Sequence, residues 1–155
     1  MSRVVFLNGE YKDYNNAFTH VEDRGYQFAD GVYEVFSVKN GKLIDYTGHI
    51  NRLSRSLNEI NIKYPINIRS ILFHMRNIIR KNLIVDGLIY LQITRGVAKR
   101  DFKFPKNIDS TITIIGNNVP SDEYDKAFEK GINVVITSDL RWKRVDIKSL
   151  NLLAP

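Results

Sequence analysis

Two Asn-Gly dipeptides, Asn8-Gly9 and Asn40-Gly41, each sit between runs of β-prone residues, and they constrain this chain more than any other local feature. Asn-Gly supplies the two positive-φ positions of a tight hairpin turn, whose twist matches that of the flanking strands. "VVFLNGEYKDY" (4–14) therefore reads as one hairpin and "GVYEVFSVKNGKLI" (31–44) as a second. The period then changes. Ile50, Leu53, Leu57 and Ile60 recur at helical spacing, as do Ile68, Leu72, Met75 and Ile79 behind Asn67, a residue suited to capping a helix start. Strand character returns at 87–96, 110–117 and 131–142. Hairpins, two helices and further strands in this order predict an α+β domain, with the helices packed on one face of a mostly antiparallel sheet.

At 155 residues the chain is long enough for one domain, or for one domain and a fragment of another. A chain of this size buries roughly 70% of the surface its unfolded form exposes, so a self-standing core is expected. The stretch "NNVPSDEYDKAFEKG" (117–131) is polar, carries Pro120, and offers Ser121 as a helix cap. It divides the chain into an N-terminal domain, residues 1–118, and a linker with the truncated beginning of a second domain, residues 119–155. Within that second part the sequence predicts a strand over 131–142 and the start of a helix in "IKSLNLL". Cysteine is absent, which excludes disulfides and thiolate metal sites. The three histidines form no HxH or HxxxH pair, and no metal is expected. No segment has the length of a signal peptide or membrane span, so a cytoplasmic protein is expected. Phosphate-binding loops of the GxxxxGK[ST] or GxGxxG type are missing.

Four regions hold residues with chemistry to offer. Lys148 lies in "RWKRVDIKSLNLL", with cations and apolar residues on either side. Local composition leaves it open between a solvated lysine in a basic tail and an amine whose surroundings help it shed a proton. Arg52 stands at the margin of a helix's apolar stripe, either exposed or reaching for an anion. His49, one turn before Leu53, reads as a partly buried, satisfied histidine. "KRDFKFPK" (99–106) interleaves cations with two phenylalanines, the pattern of a single-stranded nucleic-acid surface or of an arginine fork for a carboxylate. Tyr33 occupies an alternating strand position where sheet packing is the ordinary role. The net charge of +6 allows an anionic partner, but no nucleic-acid motif accompanies it.

Taken together, "EDRGYQFADGVYEV" (22–35), "GHINRLSRSL" (48–57), "YLQITRGVAKRDFKFP" (90–105) and "RWKRVDIKSLNLL" (141–153) closely resemble the class IV pyridoxal-phosphate-dependent aminotransferases. Within that family they are most similar to the D-amino-acid branch. The resemblance implies transfer of an amino group from a D-amino acid such as D-alanine to a 2-oxo acid, with pyridoxal 5′-phosphate as cofactor. It implies that Lys148 is the lysine that forms the internal aldimine and moves the substrate proton, and that Arg52 binds the cofactor phosphate. It further implies that Tyr33 lines the substrate-carboxylate pocket, that Arg100 reaches that pocket from a neighbouring subunit of a homodimer, and that His49 supports this shell.

The chain departs from the family pattern at two motif positions. The carboxylate trap, usually Arg-x-His, is Arg100-Asp101-Phe102 here, and a phenyl ring cannot donate the hydrogen bond an imidazole gives. Ala29 replaces a usual glycine. The chain stops soon after Lys148, before the residues with which the family pairs the pyridine nitrogen and seats the phosphate. The 155-residue chain alone is therefore expected to be inactive or nearly so, and a complementing C-terminal half is an expected partner. Branched-chain aminotransferases and aminodeoxychorismate lyases share much of the framework and stand as alternative relatives. A non-catalytic basic binding domain is the remaining alternative.

Overall fold

The computed structural model describes residues 3–64, 66–119, 128–136, 138 and 143–151. Strands β1 (Val4–Leu7) and β2 (Glu10–Asp13) form the first hairpin, and β3 (Gly31–Lys39) and β4 (Lys42–Leu43) form the second. In both turns the Asn and the Gly have positive φ, 47° and 94° at Asn8-Gly9 and 50° and 72° at Asn40-Gly41, as the dipeptides predict. Helices α2 (Tyr46–Glu59) and α3 (Ile68–Lys81) follow, then strands β5 (Gly87–Thr94) and β6 (Thr111–Asn118). Asn67 caps α3 by accepting the Arg69 N–H at 2.8 Å. One short helix was not foreseen: α1 (Arg24–Phe28), capped by buried Asp23, which accepts from the Gly25 N–H and the Thr94 hydroxyl.

The six strands form one sheet in the order β2-β1-β6-β5-β3-β4, and every pairing is antiparallel. Alternate residues point to one face: Val32, Phe36 and Val38 of β3, Ile89, Leu91 and Ile93 of β5, and Ile112 and Ile114 of β6. The apolar stripes of α2 (Ile50, Leu53, Leu57) and α3 (Ile71, Met75, Ile78, Ile79) cover that face. The α+β class with both helices on one side of the sheet is thus the observed architecture.

Two expectations in the C-terminal run do not hold. Residues 131–136 form no strand; their side chains stand open, with Val135 91% and Ile136 fully exposed. A strand needs a neighbour for its N–H and C=O groups, and no described backbone hydrogen bond reaches these residues. Residues 137 and 139–142 of that expected strand, and the Ser121 cap, lie outside the described residues. Nor does "IKSLNLL" begin a helix over 147–151: Ser149 forms an isolated β-bridge with Val32 instead. The reason is an open edge. β4 pairs only with Val38 and Lys39, so the first half of β3 has backbone groups free on that side, and this segment takes them.

A polar cluster ties the first hairpin to α3. The Tyr11 hydroxyl lies 2.7 Å from His74 Nδ1 and accepts from Asn77 Nδ2, while the imidazole stacks 3.9 Å from the Phe6 ring. Burial holds the His74 pKa below its ordinary 6.5, so the unfolded chain binds that proton more readily than the fold does. The stability this group contributes is complete above the unfolded value and is lost as pH falls through the lower, folded one. Denaturation midpoints measured between about pH 7.5 and 5 are expected to fall with pH, and to fall less in His74→Gln. The core and caps give a second test. Leu57→Ala is expected to cost about 2–5 kcal/mol. Leu83, exposed and left-handed (φ 52°) just past the end of α3, is expected to gain about 0.5–1 kcal/mol on substitution by Gly, read by the same midpoints.

Candidate active site

Strand β3 presents Val32, Glu34, Phe36 and Val38 to the helices, so parity alone places a carboxylate in the core. Glu34 is fully buried, and an unpaired charge there would cost several kcal/mol. Helix α2 supplies the partners from one turn. Arg52 donates through Nε to Oε1 and through Nη2 to Oε2, both at 2.6 Å, a two-point fork. His49 Nδ1 lies 2.8 Å from Oε2 and 3.2 Å from Arg52 Nη2, so the imidazole closes the group around the carboxylate. These hydrogen bonds hold the Arg52 pKa above its ordinary value, so the guanidinium stays cationic. Its side chain is still 42% exposed, and Nη1 has no partner among the described residues. Arg52 therefore has one edge locked inward and one edge facing out.

The run 143–150 is seated on the same helix. Arg144 donates to Glu59 at 2.8 Å, Arg55 donates to the Asp146 carbonyl at 2.6 Å, and the Lys148 N–H donates to the buried Ser56 hydroxyl at 3.2 Å. Positions 52, 55, 56 and 59 fall at i, i+3, i+4 and i+7, a single face of α2. Ile147 enters the core. Beyond it the chain meets the open edge of β3: the Tyr33 N–H donates to the Lys148 carbonyl at 3.0 Å, and the Leu150 N–H donates to the Gly31 carbonyl at 3.1 Å. A Cβ at Gly31 would stand 2.8 Å from Leu150 Cδ1 and 2.6 Å from the Ile93 carbonyl, so only glycine admits this approach.

This docking brings Lys148 and Tyr33 together. The ammonium Nζ lies 4.1 Å from the centroid of the Tyr33 ring, which stacks in turn on Tyr90 at 5.7 Å. Burial raises the Tyr90 pKa, and its hydroxyl donates to Gln92 at 2.8 Å. Among the described residues no carboxylate pairs with the Lys148 amine. Of the residues singled out in the sequence, Lys148 with Tyr33 and Arg52 with His49 form contacting pairs, both built on β3 and α2. Arg100 stands apart, on an exposed loop 4.5 Å over the Phe28 ring, and touches none of the other four among the described residues. Two residues of this site were missed. Glu34 had a readable signal, an acid at the core parity of an apolar strand. Ser56 had none.

A family profile described as "Amino-transferase class IV" matches residues 31–155. The chain is 40% identical over 153 residues to a D-alanine aminotransferase of Staphylococcus aureus, covering 96% of this chain and 52% of that protein. It is 39% identical over 152 residues to a D-alanine aminotransferase of Listeria innocua, with the same coverage. The chain thus spans about half the length of the curated relatives it matches. In solved structures the fold is similar to the branched-chain amino acid aminotransferase of Escherichia coli, with TM-score 0.71 and 19% identity over 77% of this chain and 40% of that one. The T.th. branched-chain enzyme, solved with pyridoxamine 5′-phosphate, gives TM-score 0.72 at 13% identity over 78% and 41%. At such identities these two establish the fold alone.

Since Glu34 is buried and Arg52 is its two-point partner, Arg52→Leu is expected to cost about 3 kcal/mol in denaturant unfolding. The double variant Glu34→Leu/Arg52→Leu is expected to recover much of that loss, because no orphaned charge remains.

Proposed function

The chain belongs to the class IV aminotransferase family, and on that footing we propose that its residues serve a pyridoxal-phosphate transaminase that moves an amino group from a D-amino acid such as D-alanine to a 2-oxo acid. The observation that carries the reading is Lys148, seated by Ser56 and the β3 edge with an amine that meets a ring and, among the described residues, no acid. The choice of a D-amino acid rests on about 40% identity to D-alanine aminotransferases, against 13–20% for the branched-chain structures.

The donor set fits the cofactor. A phosphate calls for fixed N–H donors; Arg52, held cationic by Glu34 and open along one edge, is such a donor. Pyridoxal phosphate, when bound, supplies the electron sink that stabilises a carbanion at the substrate Cα. Lys148 would hold the cofactor, and its amine would carry the proton to and from that Cα. Tyr33 gives the amine an apolar wall and offers its hydroxyl to the substrate carboxylate. His49 holds Glu34, and thereby the angle at which Arg52 faces outward. Arg100, remote from Lys148 within one chain, serves the carboxylate of a neighbouring copy in a homodimer. The same reading includes a cytoplasmic location and a division of the chain after residue 118, with 119–155 opening the cofactor-binding part. Activity is proposed for the whole protein, so its test uses residues of this chain.

Pyridoxal phosphate added to the purified chain and reduced with borohydride is expected to fix the cofactor on Lys148 ahead of the other lysines, mapped by mass spectrometry. Lys148→Ala is expected to abolish the label. In Arg52→Gln, the preference for pyridoxal phosphate over pyridoxal is expected to shrink about tenfold, the worth of one charge-assisted phosphate contact. Label scattered over surface lysines, with no effect of Arg52→Gln, would sink the assignment.

A further inference from the structure

The loop that carries Arg100 buries little apolar surface, its one described ring–ring contact being Phe102 against Phe28 at 5.9 Å. Phe102 is 85% exposed and Phe104 69%, and Lys99, Arg100, Asp101 and Lys103 are all open to solvent. An arginine on such a loop samples many positions unless something polar fixes the backbone. The fixing group lies below it. Asp30, with a side chain 9% exposed, accepts from Arg24 Nε and Arg95 Nε, each at 2.7 Å on Oδ2, and from Arg95 Nη2 at 2.9 Å on Oδ1.

Both guanidiniums are themselves buried, and each has donors left over. Arg24 uses Nη1 on the Asp101 carbonyl at 2.8 Å, the one described hydrogen bond from the body of the protein to the backbone beside Arg100. Arg95 donates to the Ile60 and Asn61 carbonyls at the C-terminal end of α2, where a cation also meets the helix dipole. The rings complete the tie. Phe28 lies 4.7 Å from the Arg24 guanidinium and 4.5 Å from that of Arg100, and Phe104 lies 4.3 Å from that of Arg95. Two cations this close, and this buried, repel one another unless a carboxylate sits between them, and Asp30 is the acid in contact with both.

We propose that Asp30, acting through Arg24, is the positioning residue for Arg100. This rests on the reading that Arg100 receives a substrate carboxylate. Asp30 touches neither substrate nor cofactor; it fixes the Arg24 fork, and the fork fixes the Asp101 carbonyl and the Phe28 ring between which Arg100 is set. Through Arg95 the same carboxylate anchors the last turn of α2, so the loop and the helix bearing Arg52 share one electrostatic post.

The test is the nuclear Overhauser effect between the Arg100 side chain and the Phe28 ring, measured on the whole chain. In Asp30→Asn and in Arg24→Gln it is expected to fall by about half, as when a docking equilibrium near ten to one weakens by about 1.4 kcal/mol. The Phe6–His74 contact, remote from the cluster, is expected to stay at wild-type intensity and to report an intact fold. Arg24→Gln leaves the Asp30–Arg95 pair in place and so decides the matter if Asp30→Asn does not fold. A wild-type Arg100–Phe28 signal in folded Arg24→Gln, or no such signal in the unmutated chain, overturns the proposal. Borohydride labelling of Lys148 in the same samples reports on the cofactor reading separately: its absence sinks that reading and leaves the positioning result standing.

Discussion

A carboxylate with no exposure to water must be met by donors, and Glu34 is where this rule shapes the molecule. Its strand neighbours Val32 and Phe36 belong to the core, so register leaves Glu34 no route to solvent. The partners must come from α2, and His49 and Arg52 meet the carboxylate only if that helix lies with this turn over the strand. Once α2 is set, its next two turns present Arg55, Ser56 and Glu59 in a line, and the run 143–148 docks on them. The position of Lys148 is thus a consequence, several steps removed, of an acid buried on β3.

The second constraint is the backbone's own need for hydrogen bonds. β4 is two residues long and covers only the far end of β3. The uncovered half accepts residues 148–150, and Gly31 lets Leu150 come within contact distance. A segment that local composition reads as a basic tail becomes an ordered edge because a strand lacked a neighbour. At the turn into the same strand, Asp30 plays for the Arg100 loop the part Glu34 plays for α2. Two acids four residues apart, Asp30 just before β3 and Glu34 within it, each hold arginine side chains from other parts of the chain.

The local elements were legible wherever the physics is local. Asn-Gly turns fix their own dihedrals, Asn67 caps its own helix, and the α2 stripe lies where the residues predict it; in α3 the helix is where it was expected, but its buried face is Ile71, Met75, Ile78 and Ile79, with Ile68 39% exposed. The misses are of another kind. The run 131–136 carries β-prone residues, yet with no pairing partner among the described residues it forms no strand, and "IKSLNLL" meets an open strand edge before a helix can start. Lys148, Arg52, Tyr33 and Arg100 stand out as candidate site residues only as parts of four family motifs, since each taken alone reads as an ordinary surface or packing residue. Ser56 was invisible, because its role is to meet a backbone N–H 92 positions away.

The sequence by itself determined the turns, the Asn67 cap, the two amphipathic helices, the α+β class and the family. These follow from dihedral preferences and periodicities that act over a few residues, or from motifs read whole. Only the tertiary structure decided the strand order β2-β1-β6-β5-β3-β4, the pairing of 148–150 with β3, the setting of Lys148 on the Tyr33 ring, and the sharing of Asp30 between Arg24 and Arg95. Each of these joins groups that are not neighbours in the chain. Burial and hydrogen-bond satisfaction choose such partners only after the whole core has closed, and no local pattern records the choice.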